Sequence, residues 1–285
     1  MGLTEPLADE ALRLADGRLL AWAEWGDPRG APVVFFHPSP GSRLFCPDAQ
    51  MTARQGIRLI TVDRPGYGGS DPVRDPSLTG FAADVTRLAD HLWLGQFPVV
   101  GWSGGGLYAA ACAALMGERV SALGLVAAPA PDDQVPWSLP RSRDVGRLAK
   151  ADPRQAMAAA VADIEGPLVK AAERAGEQWD SPSDVTTRSQ PLVDRALRVM
   201  WQEALRPGTH GVAADVVAGL RPWSFAPSRL TTPAQLFYGD DDFVVDLNHA
   251  RWWERALPDA NLTVVRGGHL IPFVAWPDIL RAVKS

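Results

Sequence analysis

Pro98-Val99-Val100-Gly101-Trp102-Ser103-Gly104-Gly105-Gly106 places one serine between an apolar run and a segment rich in alanine. The run at 97–100 predicts a strand and the residues 107–116 predict a helix, so Ser103 is expected at the apex of a sharp strand-to-helix turn. Glycines two positions before and two positions after the serine fit this turn, because side chains there would collide across it. A hydroxyl exposed in this way becomes a nucleophile when a histidine base lies beside it.

Strands and helices alternate on both sides of this turn. The predicted strands are 12–15, 18–25, 33–36, 57–62, 97–100, 120–126, 234–238 and 261–265. The predicted helices of the same region are 43–55, 78–94, 107–116, 247–257 and 276–284. Asp16-Gly17 favours a tight hairpin between the first two strands. The later alternation is typical of βαβ units, and it predicts an α/β fold with a mostly parallel sheet covered by helices on both faces.

The alternation stops in the middle of the chain. Between 129 and 228 there is no strand-like run, and the stretches rich in alanine and charge favour helices. We therefore predict a helical lid or cap at 129–228, inserted into a core formed by 1–128 and 229–285. This region contains four tryptophans, which either pack its helices onto the core or line an apolar pocket over the serine: Trp137, Trp179, Trp201 and Trp223. Trp137 and Trp201 are our candidates for the pocket.

The composition excludes several classes of protein. With 285 residues, 46% of them hydrophobic and 21% charged, the chain is an ordinary globular protein. A net charge of −5 without any basic run argues against nucleic-acid binding. The two cysteines are too few for a disulfide framework, and the N-terminal residues hold no hydrophobic run. We expect a cytoplasmic monomer or homodimer that acts on a small molecule, with no membrane partner.

One histidine is placed to act as the base. His269 follows two glycines after the final predicted strand. Loops that follow parallel strands gather at the carboxyl edge of the sheet, which is also where Ser103 emerges. The other four histidines precede a proline, lie in predicted helices or belong to the inserted region: His37, His91, His249 and His210. We therefore predict His269 as the base.

The acid that would orient this histidine has several candidates. The loop after the penultimate strand carries Asp240, Asp241 and Asp242. An acid in this loop produces the chain order serine, acid, histidine that is known for hydrolases of this architecture. Asp132 or Asp133, just after the preceding strand, is the alternative, and the residues alone leave the choice open.

These motifs together resemble the α/β-hydrolase superfamily over nearly the whole chain. The matching segments are Phe35-Phe36-His37-Pro38-Ser39-Pro40-Gly41-Ser42, Asp63-Arg64-Pro65-Gly66-Tyr67-Gly68-Gly69-Ser70, the serine turn, Gly239-Asp240-Asp241-Asp242-Phe243-Val244-Val245 and Gly268-His269. The resemblance implies that the acid is the last residue of a Gly-x-x-Asp pattern, which is Asp242. It also implies that the inserted region corresponds to the variable helical lid of the family.

The resemblance further implies an oxyanion hole formed by two backbone N–H groups, those of Ser39 and Gly104. The sequence departs from the family pattern at Pro38, where glycine is usual, although this position is not an expected donor. Prolines follow His37 and Ser39, so both residues should be extended and the turn stiff. We hypothesise a cis bond between Ser39 and Pro40. His37 and Trp102 are further candidates for lining the substrate pocket.

The residues and the resemblance together predict a serine hydrolase. It would cleave carboxylic esters of small, largely apolar substrates through an acyl-enzyme on Ser103, with His269 as base and Asp242 as acid, and it would need no metal or organic cofactor. Two alternatives remain. The same triad serves C–C hydrolysis, lyase, acyl-transfer or peptidase chemistry, and a hydrolase fold also serves as a small-molecule binding protein without turnover.

Overall fold

An eight-stranded sheet forms the centre of the structure, a computed structural model that describes residues 5–137 and 143–284. The strands are β1 (Ala8–Arg13), β2 (Leu19–Gly26), β3 (Ala31–Phe36), β4 (Ile57–Val62), β5 (Phe97–Trp102), β6 (Val120–Val126), β7 (Ala234–Gly239) and β8 (Ala260–Val265). Their order in the sheet is β1-β2-β4-β3-β5-β6-β7-β8. β2 pairs antiparallel with β1 and with β4, and the remaining pairs are parallel. The predicted α/β class is confirmed.

Helices cover the sheet on both faces. They are α1 (Ala49–Arg54), α2 (Leu78–His91), α3 (Gly105–Met116), α4 (Arg143–Ala151), α5 (Pro153–Ala172), α6 (Pro182–Arg188), α7 (Pro191–Ala204), α8 (His210–Leu220), α9 (Leu247–Ala256) and α10 (Pro272–Lys284). We call α4 to α8 the cap helices, since they lie between β6 and β7, where the described residues form no strand. The boundaries at 129 and 228 stay a prediction. Within 5–137 and 143–284, no helix has the length and apolarity that crossing a membrane requires.

The middle of the sheet is fully enclosed. All six residues of β5 are buried, and the buried residues of β3 and β6 flank them. Each large apolar side chain enclosed in this way contributes about 1.5–3 kcal/mol relative to an exposed one. Because β5, β7 and β8 are parallel, their carboxyl ends meet at one edge of the sheet, and the loops that follow them carry Ser103, Asp242 and His269.

The helix predicted at 43–55 is mostly wrong. Only Ala49–Arg54 is helical, and Asp48 caps it by accepting a hydrogen bond from Met51 N–H. Arg43 instead lies buried in a loop, where its guanidinium pairs with three carboxylates: Asp9 at 2.6 Å, Asp63 at 2.8 Å and Glu203 at 2.6 Å. These ion pairs join β1, the loop after β4 and α7, and none of them is visible in the local sequence pattern.

Two other helices extend beyond their predicted bounds. α5 continues through Pro167, although the sequence pattern alone favours two separate helical stretches, 153–162 and 167–175. α10 begins at Pro272, four positions before the predicted start at Trp276. Both differences place proline inside or at the start of a helix. Proline at the first position costs no hydrogen bond, and an interior proline is retained when tertiary packing outweighs its cost.

Candidate active site

Ser103 lies at the apex of the turn between β5 and α3. Its φ angle is +53°, which is uncommon for a residue with a side chain, and its N–H donates to Val126 O at 2.8 Å. The turn is tight, because a Cβ at position 101 would overlap the backbone of Gly105 and Gly106. The sequence-predicted sharp turn is therefore present, and it holds the serine at the carboxyl edge of the sheet.

His269 and Asp242 are joined by a side-chain hydrogen bond at this edge. His269 Nδ1 lies 2.7 Å from Asp242 Oδ2. The other carboxylate oxygen, Oδ1, accepts the N–H groups of Val244 and Val245 at 2.8 and 2.9 Å. With Nδ1–H donating to Asp242, Nε2 is the basic nitrogen of the neutral ring.

The structure distinguishes among the candidate acids. Asp240 accepts the Gly267 N–H at 2.9 Å, and Asp241 accepts the Ser183 N–H at 3.0 Å. Asp132 accepts the Trp137 N–H at 2.9 Å, and Asp133 is exposed. In the described part of the chain, only Asp242 pairs with the imidazole of His269.

The pKa of His269 is raised above the ordinary value of 6.5. Burial alone would lower this pKa, because it disfavours the imidazolium. The charge and hydrogen bond of Asp242 outweigh burial, and the more distant charges of Asp184 and Asp180 act in the same direction. The surroundings of the ring therefore favour the protonated form.

Ser103 and His269 open onto one cavity of about 100 Å³. Trp102 and Trp201, two of our candidates for the pocket, also line it. Trp179, another tryptophan for which the sequence left pocket lining open, lines it as well, together with four residues that were not predicted: Leu197, Met200, Asp180 and Arg188. The side chains of Ser103 and His269 make no hydrogen bond to each other in this arrangement. Catalytic hydrogen bonds are often long in free enzymes and shorten when substrate binds.

His37 and Trp137, the other two candidates for the pocket, lie outside the described lining of this cavity. His37 is buried, its Nδ1–H donates to Pro38 O at 2.7 Å, and its Nε2 accepts the Arg64 N–H at 3.3 Å. Burial and the Arg64 charge hold the pKa of His37 well below 6.5, so the ring is a neutral support for the turn. The Trp137 indole donates to Ala130 O at 3.1 Å and packs on Gly219 of α8.

The turn at 37–42 faces the start of α3. The Ser39–Pro40 bond is cis, as hypothesised. Ser39 lies against Gly104, since a Cβ at position 104 would overlap Ser39 Oγ. Within the described residues, neither the Ser39 N–H nor the Gly104 N–H has a protein acceptor. Two adjacent free donors beside Ser103 are what an oxyanion requires.

A buried ion pair stands behind this turn. Arg64 is fully buried and Asp215 of α8 nearly so, with Arg64 Nη2 2.6 Å from Asp215 Oδ2. Arg64 also donates to the carbonyls of His37 and Pro38 and to Ser39 Oγ, the last at 2.9 Å. The Ser39 hydroxyl in turn donates to Asp215. A carboxylate of the cap helices thus helps to fix the turn.

Hydroxyl groups complete the environment of Asp215. Tyr67 donates to Oδ2 at 2.6 Å, and Tyr108 of α3 donates to Oδ1 at 2.8 Å. Sequence reasoning missed this role of Asp215, because the residue lies 151 positions from Arg64 and in a helix without a motif. The available signal for this network was Arg64, which belongs to the family-like segment at 63–70.

Comparisons with known proteins agree with the fold. The family model described as alpha/beta hydrolase fold matches residues 31–275. The non-heme chloroperoxidase of Streptomyces lividans is 31% identical, with 95% of this chain and 98% of the relative covered. The pimeloyl-[acyl-carrier protein] methyl ester esterase of Chromobacterium violaceum is 28% identical, with 83% of this chain and 85% of the relative covered.

Other relatives match over a shorter segment. The proline iminopeptidase of Neisseria gonorrhoeae is 29% identical over 131 residues, and the match spans only 40% of that protein's length and 42% of this chain. A solved esterase of Thermogutta terrifontis superposes with a TM-score of 0.73 at 25% identity, covering 98% of this chain and all of the esterase. With a family model that matches most of its length, this chain belongs to the family of the α/β-hydrolase fold.

Proposed function

We propose that the protein is a serine hydrolase that cleaves carboxylic esters with a small, apolar acyl group. The observation that carries this proposal is that Ser103 and His269, whose ring is hydrogen-bonded to Asp242, open onto one cavity with mostly apolar walls. Relatives named as esterases support ester cleavage, and one of them aligns with 83% of this chain.

Each residue has a defined step in the proposed reaction. Ser103 Oγ attacks the ester carbonyl while His269 Nε2 takes the hydroxyl proton, and Asp242 stabilises the imidazolium that forms. The N–H groups of Ser39 and Gly104 bind the oxyanion, and each such donor is typically worth about 100-fold to 1000-fold in kcat. His269 returns the proton to the departing alcohol. Water activated by His269 then hydrolyses the acyl-enzyme and regenerates Ser103.

The cavity restricts the size of the acyl group. Its volume of about 100 Å³ is smaller than the roughly 150 Å³ of an engineered cavity that binds benzene. Trp179 and Trp201 lie with ring centroids 6.0 Å apart in its wall. We therefore propose short acyl groups, because these two indole rings border the space next to Ser103.

Labelling with a fluorophosphonate tests the nucleophile. We expect one covalent adduct by intact mass on the wild type and none on Ser103→Ala, with adduct formation much slower on His269→Ala. Ser103→Ala should lower kcat by roughly 10⁴-fold to 10⁶-fold while the circular dichroism spectrum is retained. A folded wild type that forms no adduct would contradict the proposal and favour a binding protein without turnover.

A substrate panel tests the reaction and the acyl pocket. We expect p-nitrophenyl acetate and butyrate to be hydrolysed with higher kcat/KM than the octanoate. Trp201→Ala should shift this preference toward longer chains. Trp223→Ala, which changes a tryptophan of the same inserted region outside the cavity, should leave the preference unchanged. Faster cleavage of prolyl p-nitroanilide than of any ester would replace the esterase proposal with a peptidase.

A further inference from the structure

Asp184 of α6 contacts the loop that carries His269. Its side chain is almost fully buried, at 1% exposure. Oδ2 accepts the His269 N–H at 2.8 Å, and Oδ1 accepts the Leu270 N–H at 2.7 Å. One carboxylate therefore binds two consecutive N–H groups of the loop, across 85 and 86 positions of sequence.

The same carboxylate also closes a capping box at the start of α6. Oδ2 accepts the Ser181 N–H at 3.2 Å, and Ser181 Oγ accepts the Asp184 N–H at 3.2 Å. A capping box needs only these two local bonds. The bonds to His269 and Leu270 are additional, and they fix where α6 lies relative to the histidine.

Peptide N–H groups hold the Asp184 carboxylate. Among the residues that the structure describes, no arginine, lysine or histidine side chain forms an ion pair with it. Its negative charge is therefore not cancelled by an ion pair, and it acts on the imidazole of His269, one of the two residues whose N–H groups it accepts.

The backbone is shaped for this contact. A Cβ at position 268 would overlap both Asp184 Oδ2 and Ser181 Oγ. Gly268 thus allows the carboxylate to approach the loop immediately before the histidine. The need for this close approach explains why glycine precedes His269.

We propose that Asp184 is a positioning residue of the active site, which holds the His269 loop in register with Asp242 and favours the charged ring during turnover. This inference rests on the proposed function, since it assumes that His269 is the base. It adds a cap-helix residue to a site whose three catalytic candidates belong to the core.

Several charged groups face His269. Burial lowers its pKa, whereas Asp242 first and then Asp184 and Asp180 raise it. Arg188 also lines the cavity, and it is bound to both oxygens of Asp180, so these two charges largely offset each other. Asp242 and Asp184 therefore remain as the uncompensated acidic groups beside the ring.

The pH profile of kcat/KM tests the proposal. In Asp184→Asn, the amide nitrogen faces one of the two N–H groups and the charge is lost. We expect kcat to fall by about tenfold to 100-fold, as for a displaced catalytic group, and the acid limb of kcat/KM to move to lower pH. KM for p-nitrophenyl butyrate should change little, because Asp184 is outside the described lining of the cavity.

Two control variants separate positioning from helix capping. Asp241→Asn removes a carboxylate that accepts the N–H of Ser183 at the start of the same helix. Ser181→Ala removes the hydroxyl of the capping box. Both should lower the thermal midpoint without moving the acid limb. If Asp184→Asn loses activity but keeps the wild-type acid limb, or keeps wild-type kcat, the proposal is wrong.

A second variant keeps the test decisive if Asp184→Asn does not fold. Gly268→Ala displaces the carboxylate from the loop and keeps every charge. We expect kcat to fall with KM nearly unchanged, and wild-type kcat would contradict the proposal. The fluorophosphonate adduct on wild type distinguishes the two levels of failure: its absence contradicts the proposed function, and its presence with unaffected Asp184 and Gly268 variants contradicts only this inference.

Discussion

The two loops of the site are both held by carboxylates of the cap helices, in different ways. Asp215 of α8 stands behind the oxyanion turn and is paired with the buried guanidinium of Arg64. Asp184 of α6 stands behind the His269 loop and is bonded to backbone N–H groups. The difference teaches that one kind of side chain serves two electrostatic purposes: Asp215 neutralises a buried cation, whereas Asp184 contributes a net negative charge next to the proposed base, His269.

The largest expected difference is in stability. Asp215→Asn leaves Arg64 buried without a counter-ion, which should lower the free energy of unfolding by about 3–5 kcal/mol. Asp184→Asn leaves no charge unpaired and costs about 1–3 kcal/mol for an unsatisfied N–H. Urea denaturation of both variants checks the order. Equal losses would mean that the Arg64–Asp215 charges are not the source of the difference.

The second difference concerns pH. In the proposed mechanism His269 must be neutral to accept the Ser103 proton. Because its pKa is raised, the acid limb of wild-type kcat/KM should have its midpoint above 6.5. The tyrosines and the arginine around Asp215 should not titrate over this pH range. Burial and Asp215 raise the pKa of both Tyr67 and Tyr108, and the charge of Asp215 keeps Arg64 protonated against the effect of burial. A midpoint at or below 6.5 would contradict the electrostatic account of the histidine side.

The smallest expected effect comes from a single hydroxyl. Tyr108→Phe removes the donor to Asp215 Oδ1, which still accepts from Arg64 Nε at 2.9 Å. We expect a loss of about 1–2 kcal/mol in unfolding free energy, kcat within about threefold of wild type, and an unchanged acid limb. A tenfold loss of kcat would show that the Arg64–Asp215 pair alone does not hold the turn at 37–42 in place.

The sequence predicted the scaffold well because the scaffold is locally encoded. A continuous apolar run such as Val33–Phe36 can be satisfied only by burial on both faces, and Gly101 is required by the tightness of the turn itself. The carboxyl edge then follows from parallel pairing, which brings the loops of Ser103, Asp242 and His269 together. The choice of Asp242 among three adjacent aspartates needed the family resemblance, since spacing alone did not decide it.

The rest depends on contacts between distant segments. Arg43 lies in a loop and not in the predicted helix, and there it pairs with carboxylates of three other segments. The local sequence pattern contains no information about these distant partners. Trp201 and Trp137 look alike in the sequence, since both fall within the predicted insertion, yet of these two only Trp201 lines the cavity. The sequence offers one signal for Asp184, the Ser-x-x-Asp pattern at the start of α6. This pattern predicts where the helix begins, but it does not predict the contact with the His269 loop.

The bonds of Asp184 and Asp215 bear on protein engineering. Exchanging the segment that contains α6 and α8 for that of another member of the α/β-hydrolase family is a natural way to seek new substrate preferences. In this chain such a graft would remove both carboxylates at once, leaving Arg64 without its counter-ion and the N–H groups of His269 and Leu270 without an acceptor. Chimeras should therefore transfer Asp184 and Asp215 with their geometry, or replace Arg64 together with its partner.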